Sequence, residues 1–453
     1  CGDVNLARRQ HYRTEDLGEE EVLGRIPALS SADLSVINLE CVVATTGEQG
    51  IDKGEKSPYY YRARPEMLRL LCRANIDAVT TANNHSGDYG NQALLEQGFW
   101  LDGVGIAHTG SGANLDAALN PVIRPAGDLN VAIFSLDATQ KTFAAGPRQP
   151  GCAHLSLKDP DAWPRLLKPR IAAARRRAHV VLVAIHWGDN LEQKPGVAEI
   201  EVGHRVIDAG ADAILGTSAH ILQGVEVYQG RPIIHDAGDL LFDSVRRSLK
   251  DSGIFQLTLS RNGVERLRFF PVGAGFGFSR QLTGESAAAV TGRFARLCKE
   301  LGTDLQHLQD GSGLLTLSPQ ARPTTVEIPP LPTPSQRNPA LLDQVQRPLS
   351  PNWFVHQVPD DARITPMDFG PLQLLGLRYA PRSIERRQLL YVETFWQLNP
   401  ALPQTLTENI RLDIRAVPVS DTDMPHWGKS MDHDPCDWQL PTSRWQPGLI
   451  YRD

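Results

Sequence analysis

Much of the common chemistry is missing from this 453-residue chain. The six cysteines, Cys1, Cys41, Cys72, Cys152, Cys298 and Cys436, are scattered and form no C-x-x-C pair. That spacing excludes a zinc ribbon and a disulfide framework as the organising element. No apolar run approaches the ~18 residues of a membrane span. There is no Gly-x-Ser-x-Gly elbow and no cysteine flanked for nucleophilic work. Gly110-Ser111-Gly112 is a plain turn without the longer pattern of a phosphate-cradling loop. Charge of one sign is scarce as well. The formal net charge of −6 argues against a general nucleic-acid or anionic-membrane surface, so no nucleic-acid partner is expected.

What is present suits a folded globular chain, at 41% hydrophobic and 22% charged residues. Its length calls for two or three domains. The first ~320 residues alternate between strand-like and helix-like segments, which predicts an α/β layered domain. Strands are expected at Leu34–Asn38, Ala78–Ala82, Val131–Leu136, Val180–His186, Ala213–Gly216 and Pro232–His235. Runs as apolar as Val180-Val181-Leu182-Val183-Ala184-Ile185 suit parallel strands buried on both faces. Helices are expected at Pro65–Ala74, Asn91–Asp102, Asp161–Ala178, Val197–Ala209 and Ser286–Leu301. Phe255–Leu259 and Leu267–Phe270 flank Arg261-Asn262-Gly263 and read as a hairpin closing the sheet.

A Pro-dense stretch around Ile328–Ser335 reads as an extended linker. Beyond it, Leu372–Tyr379, Leu389–Leu398 and Asn409–Val417 are short strands spaced by turns, which suggests a β-sandwich. The expected organisation is therefore an α/β domain over 1–325, a linker over 326–350 and an all-β sandwich over 351–453. Gly2-Asp3 reads as the exit of a strand with its body upstream, so a fragment or a processed product is expected. A lipid anchor on Cys1 is disfavoured because no tether separates it from the core. Arg452-Asp453 reads as mid-strand.

The informative pattern lies at the strand ends. Polar clusters follow the apolar segments: Gly2-Asp3-Val4-Asn5, Asn38-Leu39-Glu40, Asn83-Asn84-His85, His186-Trp187-Gly188-Asp189 and Gly216-Thr217-Ser218-Ala219-His220. In open α/β sheets, ligands bind just beyond the carboxyl ends of the strands. Carboxylates, an amide oxygen and neutral imidazoles are the groups that hold divalent metals. Taken singly, Asp3 reads as readily as a cap, Asn84 as a turn residue and His186 as a hydrogen-bonded core histidine. Five such ends together point to one crevice. His85 beside Asn84 could protonate a leaving oxygen or position an anion. Gly216 would let the backbone approach a ligand. His204 is read as structural; His235, Asp236, Asp239 and Asp243 as cap, turn or rim residues.

In their order, these motifs resemble the CapA family of capsule and poly-γ-glutamate synthesis proteins. The resemblance runs over about residues 1–280. It includes the block from Gly203-His204-Arg205 through His220-Ile221-Leu222-Gln223-Gly224-Val225-Glu226. That family is similar to the calcineurin-like metallophosphoesterases, which implies a four-layer αββα sandwich with metals at the strand ends. The resemblance further implies that Asp3 and His220 serve one metal and Asn84 and His186 another. Glu40 would lie between them, with His85 as the acid or phosphate-orienting group. The implied cofactor is one or two divalent ions (Mn, Fe, Zn or Mg). Asn5 and Ser218 stand where that pattern has imidazoles, so each metal loses one ligand. The tail through Pro441–Gly448 is similar to small β-domains appended to bacterial membrane glycosyltransferases, which hints at the cell envelope or an extracytoplasmic place.

Two functions remain open at this level. One is metal-dependent hydrolysis or transfer on a phosphoester or γ-glutamyl amide in envelope-polymer synthesis. The other is a non-catalytic envelope component that binds the acidic polymer or a synthase protein. A third option confines a carbohydrate-binding role to residues 350–453.

Overall fold

The computed structural model describes residues 1–47, 51–55, 58–243, 249–319, 328–331, 337–345, 353–380, 391–402, 406–413, 432–433, 435–436 and 440–453. Residues 1–51 and 61–343 form one compact unit; 52–60 and 344–453 form another.

The strands that build the two large sheets of the first unit are β1 (Asp3–Val4), β2 (Val36–Leu39), β3 (Ala78–Thr80), β4 (Ala107–Thr109), β5 (Val122–Ala126), β6 (Leu129–Asp137), β7 (Val180–His186), β8 (Ala213–Thr217), β9 (Val225–Tyr228), β10 (Arg231–Ile234) and β11 (Asp239–Leu241). One sheet runs β11-β1-β2-β3-β4 and is parallel throughout. A second runs β9-β10-β8-β7-β6-β5, with antiparallel strands only at its two edges.

β7 is apolar at nearly every position because both of its faces are covered. Val181, Val183 and Ile185 pack on Trp163, Leu167 and Val206 of the helices Ala162–Ala174 and Val197–Asp208. Val180 and Leu182 face the other way and share a cluster with Ala78 and Ala107 of the first sheet. The outer face of that first sheet, with Ile37, Leu39 and Val79, packs on Leu68, Leu71, Leu101 and Val104 of the helices Leu68–Arg73 and Gly90–Val104. The order is thus helix, sheet, sheet, helix. Each fully buried Leu, Ile or Val contributes about 1.5–3 kcal/mol to holding these layers together.

The expected hairpin forms, as β12 (Lys250–Ser260) and β13 (Gly263–Gly275). It does not close either sheet. It builds an antiparallel sheet of its own with Phe278–Gln281, Gln306–His307 and Gly313–Thr316. The reason lies in its alternation. Phe255, Leu267 and Phe269 make one apolar face, which the helix Gly284–Glu300 covers through Phe294, its ring 4.1 Å from Phe269. A strand pair with one apolar face needs one covering layer, not two.

The second unit is all-β. Its five-stranded antiparallel sheet runs Phe354–Val355, Ile450–Arg452, Tyr391–Leu398, Leu372–Ala380, Arg363–Phe369. Leu412–Asp413 pairs with Asp432–His433 as a second ladder, and Leu412 shares a core with Leu372, Trp396, Trp445 and Tyr451. Of the sequence expectations, Leu389-Leu390, residues 414–417, Asp434 and Pro332–Ser335 lie outside the described residues. Within 326–343, Pro329 accepts a hydrogen bond from Asn130 Nδ2 at 3.0 Å, and Leu342 is buried in the first unit's core.

Candidate metal centre

Parallel pairing puts the strand ends in register. Asp239, Asp3, Asn38 and Thr80 form one row across the first sheet; Asp137, His186 and Thr217 form a row across the second. Side chains alternate along a strand, so residues two apart share a face. Val180 and Leu182 lie between the sheets, and therefore so does His186. By the same parity Asn38 points inward, since Ile37 and Leu39 point out. The two polar rows face one another. Asn38 ties them: its Nδ2 donates to Asp3 Oδ1 at 2.8 Å and lies 3.3 Å from His186 Nδ1.

Glu40, just past β2, sits at the centre. Its Oε1 is 3.9 Å from both His85 Nε2 and His186 Nε2, and its Oε2 is 3.8 Å from His220 Nδ1. His220 Nδ1 is 3.7 Å from Asp3 Oδ2. One ligand atom each from Asp3, Glu40 and His220 lies within 4.8 Å of the others. On the far side, His186 Nε2 is 3.0 Å from Asn84 Oδ1, while its Nδ1 is 3.0 Å from Thr217 Oγ1. All six expected residues, Asp3, Glu40, Asn84, His85, His186 and His220, therefore meet around one point. His85 is held from behind: its Nδ1 is 2.5 Å from Asp88 Oδ2, and its ring stacks on Tyr61 at 4.0 Å.

The backbone is shaped for this convergence. His220 (φ 60) and Ser218 (φ 122) adopt left-handed conformations that cost a non-glycine residue about 1–3 kcal/mol each. Gly216 plays a different part from the one expected. A Cβ there would lie 2.1 Å from the His235 carbonyl oxygen, so the glycine admits a neighbouring strand, not a ligand.

The electrostatics are unbalanced. Asp3, Glu40, Asp236 and Asp239 are all buried. Asp239 is answered by His220 Nδ1 at 2.8 Å and Lys250 Nζ at 2.6 Å. Asp236 accepts from the Ala219 and Gly238 backbone N–H groups. Asp3 Oδ2 and both Glu40 oxygens have no hydrogen-bond partner among the described residues. Burial first, then the Asp3 charge, pushes Glu40 well above the ordinary carboxylate range. Burial alone would lower His220, but Glu40, Asp239 and Asp3 outweigh it and raise that imidazole to about 10. Asp239 is the firmest of these causes, because it holds the ring by a direct hydrogen bond. Closed-off carboxylate oxygens beside imidazoles and an amide are a donor set that fits a divalent cation.

The two departures are also explained locally. Asn5 Oδ1 accepts from the Ala7 N–H at 2.8 Å, and Ser218 Oγ donates to the Gly188 carbonyl at 3.1 Å, so both serve their own turns. Sequence reasoning left Asp239 as a rim or turn residue, placed Asn38 and Thr217 in the strand-end clusters without a role of their own, and missed Lys250 and Asp137. Asp137 carried a usable signal: it ends the apolar run Val131–Leu136 as the other polar clusters end theirs. His204 bonds Glu226 at 2.5 Å, away from this centre. Asp243 faces Arg8 at 3.3 Å.

The chain is 27% identical over 274 residues to the PGA biosynthesis protein CapA of Bacillus subtilis (strain 168), covering 60% of this chain and 70% of that one. It is 29% identical over 262 residues to a probable polyglutamine synthesis accessory protein of Mycobacterium tuberculosis, covering 52% and 67%. Among solved structures it is similar to a phosphatase from Mycoplasma pneumoniae, at 14% identity and a TM-score of 0.32, over 62% of this chain and 88% of that one. A family profile described as bacterial capsule synthesis protein PGA_cap matches residues 1–244, more than half of the chain, and the protein belongs to that family.

Proposed function

We propose that this capsule-synthesis family member is a metal-dependent hydrolase or transferase acting on a phosphoester or γ-glutamyl amide during envelope-polymer synthesis. The observation that carries the reading is the set of buried, unpartnered oxygens of Asp3 and Glu40 beside His220, His186 and Asn84. Such oxygens are costly unless a cation takes them up. Asp3, Glu40 and His220 would hold one divalent ion; Asn84 and His186 are the donors for a second. A bound ion supplies Lewis-acid polarisation of a phosphoryl or acyl oxygen and a lowered pKa for water.

The protein's own residues do the rest. Asn38 fixes Asp3 and His186 across the two sheets, and Asp239 with Lys250 orients His220. Asp88 and Tyr61 hold His85 so that its Nε2 faces the centre, where it can donate a proton to a leaving oxygen. The relatives' names, which refer to PGA biosynthesis and polyglutamine synthesis, support poly-γ-glutamate or its synthase proteins as the setting.

A second reading, a non-catalytic component that binds an acidic polymer or a synthase partner, is favoured by the turn-bound Asn5 and Ser218, which leave each metal one imidazole short. Metal analysis after purification, with turnover of an aryl phosphate, separates the two. Under the first reading, Asp3→Ala and His186→Ala lower both metal content and turnover. Absence of metal at micromolar supply, with both variants behaving as wild type, leaves the binding role standing.

A further inference from the structure

A third imidazole–carboxylate pair, besides His85–Asp88 and His220–Asp239, stands at the same end of the sheets. Asp137 closes β6 directly beside His186, to which it is paired in register, and the Ala138 N–H donates to the His186 carbonyl at 2.8 Å. Val131 and Ile133 face the first sheet, so by parity Asp137 does too. Its carboxylate is fully buried and takes four hydrogen bonds, from the Thr139 N–H and hydroxyl, the Gln140 N–H and His154 Nδ1 at 2.9 Å.

His154 is locked in place by backbone as well. The Asp137 N–H donates to the Ala153 carbonyl, and the Leu155 N–H donates to the Asp137 carbonyl. The ring's other nitrogen, Nε2, makes no hydrogen bond to the described residues, yet it is not closed off from solvent. The side chain as a whole is only 9% exposed. The loop between Asp137 and His154 packs on the turn that carries Asn84 and His85. Phe143 and Cys152 share a cluster with Ala82, and a Cβ at Gly87 would lie 2.4 Å from the Phe143 ring. A nearly buried imidazole, held by a buried carboxylate and with its second nitrogen bonded to none of the described residues, is an expensive arrangement for packing alone.

We propose that His154 is a further substrate-binding residue, whose Nε2–H donates to an oxyanion of the substrate on the His186 side of the crevice. Asp137 is its positioning residue. This deepens the function proposed above and rests on it for the identity of the crevice. When the ring carries both protons, Asp137 accepts from Nδ1 and Nε2–H is a charge-assisted donor. Phosphate and carboxylate share this chemistry.

The test is calorimetric titration of the full chain, loaded with manganese, against inorganic phosphate and separately against glutamate. His154→Gln is the variant of choice, because Asp137→Asn would disturb four buried bonds. Equal thermal unfolding of variant and wild type checks the fold. We expect His154→Gln to weaken at least one anion about tenfold, the loss of one charge-assisted hydrogen bond. Weaker phosphate binding alone identifies a phosphoryl group; weaker glutamate binding alone identifies a carboxylate. Unchanged affinity for both, no binding of either by the wild type, or loss of metal from the variant overturns the assignment. The outcomes also separate the two proposals. A wild type that takes up no metal, but whose phosphate affinity falls in His154→Gln, sinks the metal reading and keeps this one. Metal loss in Asp3→Ala with His154→Gln unaffected does the reverse.

Discussion

The space between the two sheets of the first unit has two ends, and they differ in kind. At the amino ends of β2 and β6 lies a cavity of about 360 Å3 whose walls include Leu34, Val36, Leu182, Leu215, Ile234 and Phe255. At the carboxyl ends the polar side chains of Asp3, Glu40, Asn84, His85, His186 and His220 converge instead. The same strands line both. Volume reflects how well apolar side chains fill the gap between layers. A site reflects polar atoms that the protein cannot satisfy by itself, and those collect where strands give way to loops.

That contrast can be broken by changing one end at a time. The largest expected effect is at the polar end. Asp3→Ala should abolish bound metal, measured by elemental analysis, and cut aryl phosphate turnover by about a hundredfold or more. Leu182→Ala at the cavity end should do the opposite. It should cost about 2–3 kcal/mol in denaturant unfolding and leave metal content alone. If Leu182→Ala also removes metal, the two ends are not independent.

Asn38→Ala comes next. It removes the tie between Asp3 and His186, and metal affinity by competition with a chelator should fall about tenfold. The smallest effect is in the metal-free chain. His220 is raised to about 10 from its ordinary value near 6.5. A raised imidazole contributes stability that is complete below about 6.5 and is lost as pH climbs toward 10. The unfolding midpoint should therefore decline across that window, and His220→Asn should flatten the decline. A midpoint rising with pH in the same window would contradict the bond to Asp239.

Much of this was legible before any coordinates. Val180–Ile185 announced a strand covered on both faces, and His186 after it announced a polar exit. Alternation of strand and helix announced the layers. The hairpin at Arg261-Asn262-Gly263 was legible as a hairpin but not as a separate sheet, because a turn motif specifies how two strands join and not what they lie against. Asp239 and Lys250 were readable only as loop-side polar residues. Their roles depend on β11 lying beside β1, more than 230 residues away in the chain.

The sequence by itself determined which segments are buried strands and that their ends carry carboxylates, an amide and imidazoles, because hydrophobic period and residue type are local properties. Only the tertiary structure decided that two sheets stack with those ends in opposition. It also decided that Asn38 bridges them and that Asp137 reaches His154. Those facts depend on the pairing of distant strands and on which face each residue presents, and one residue's shift in register would turn every one of them away.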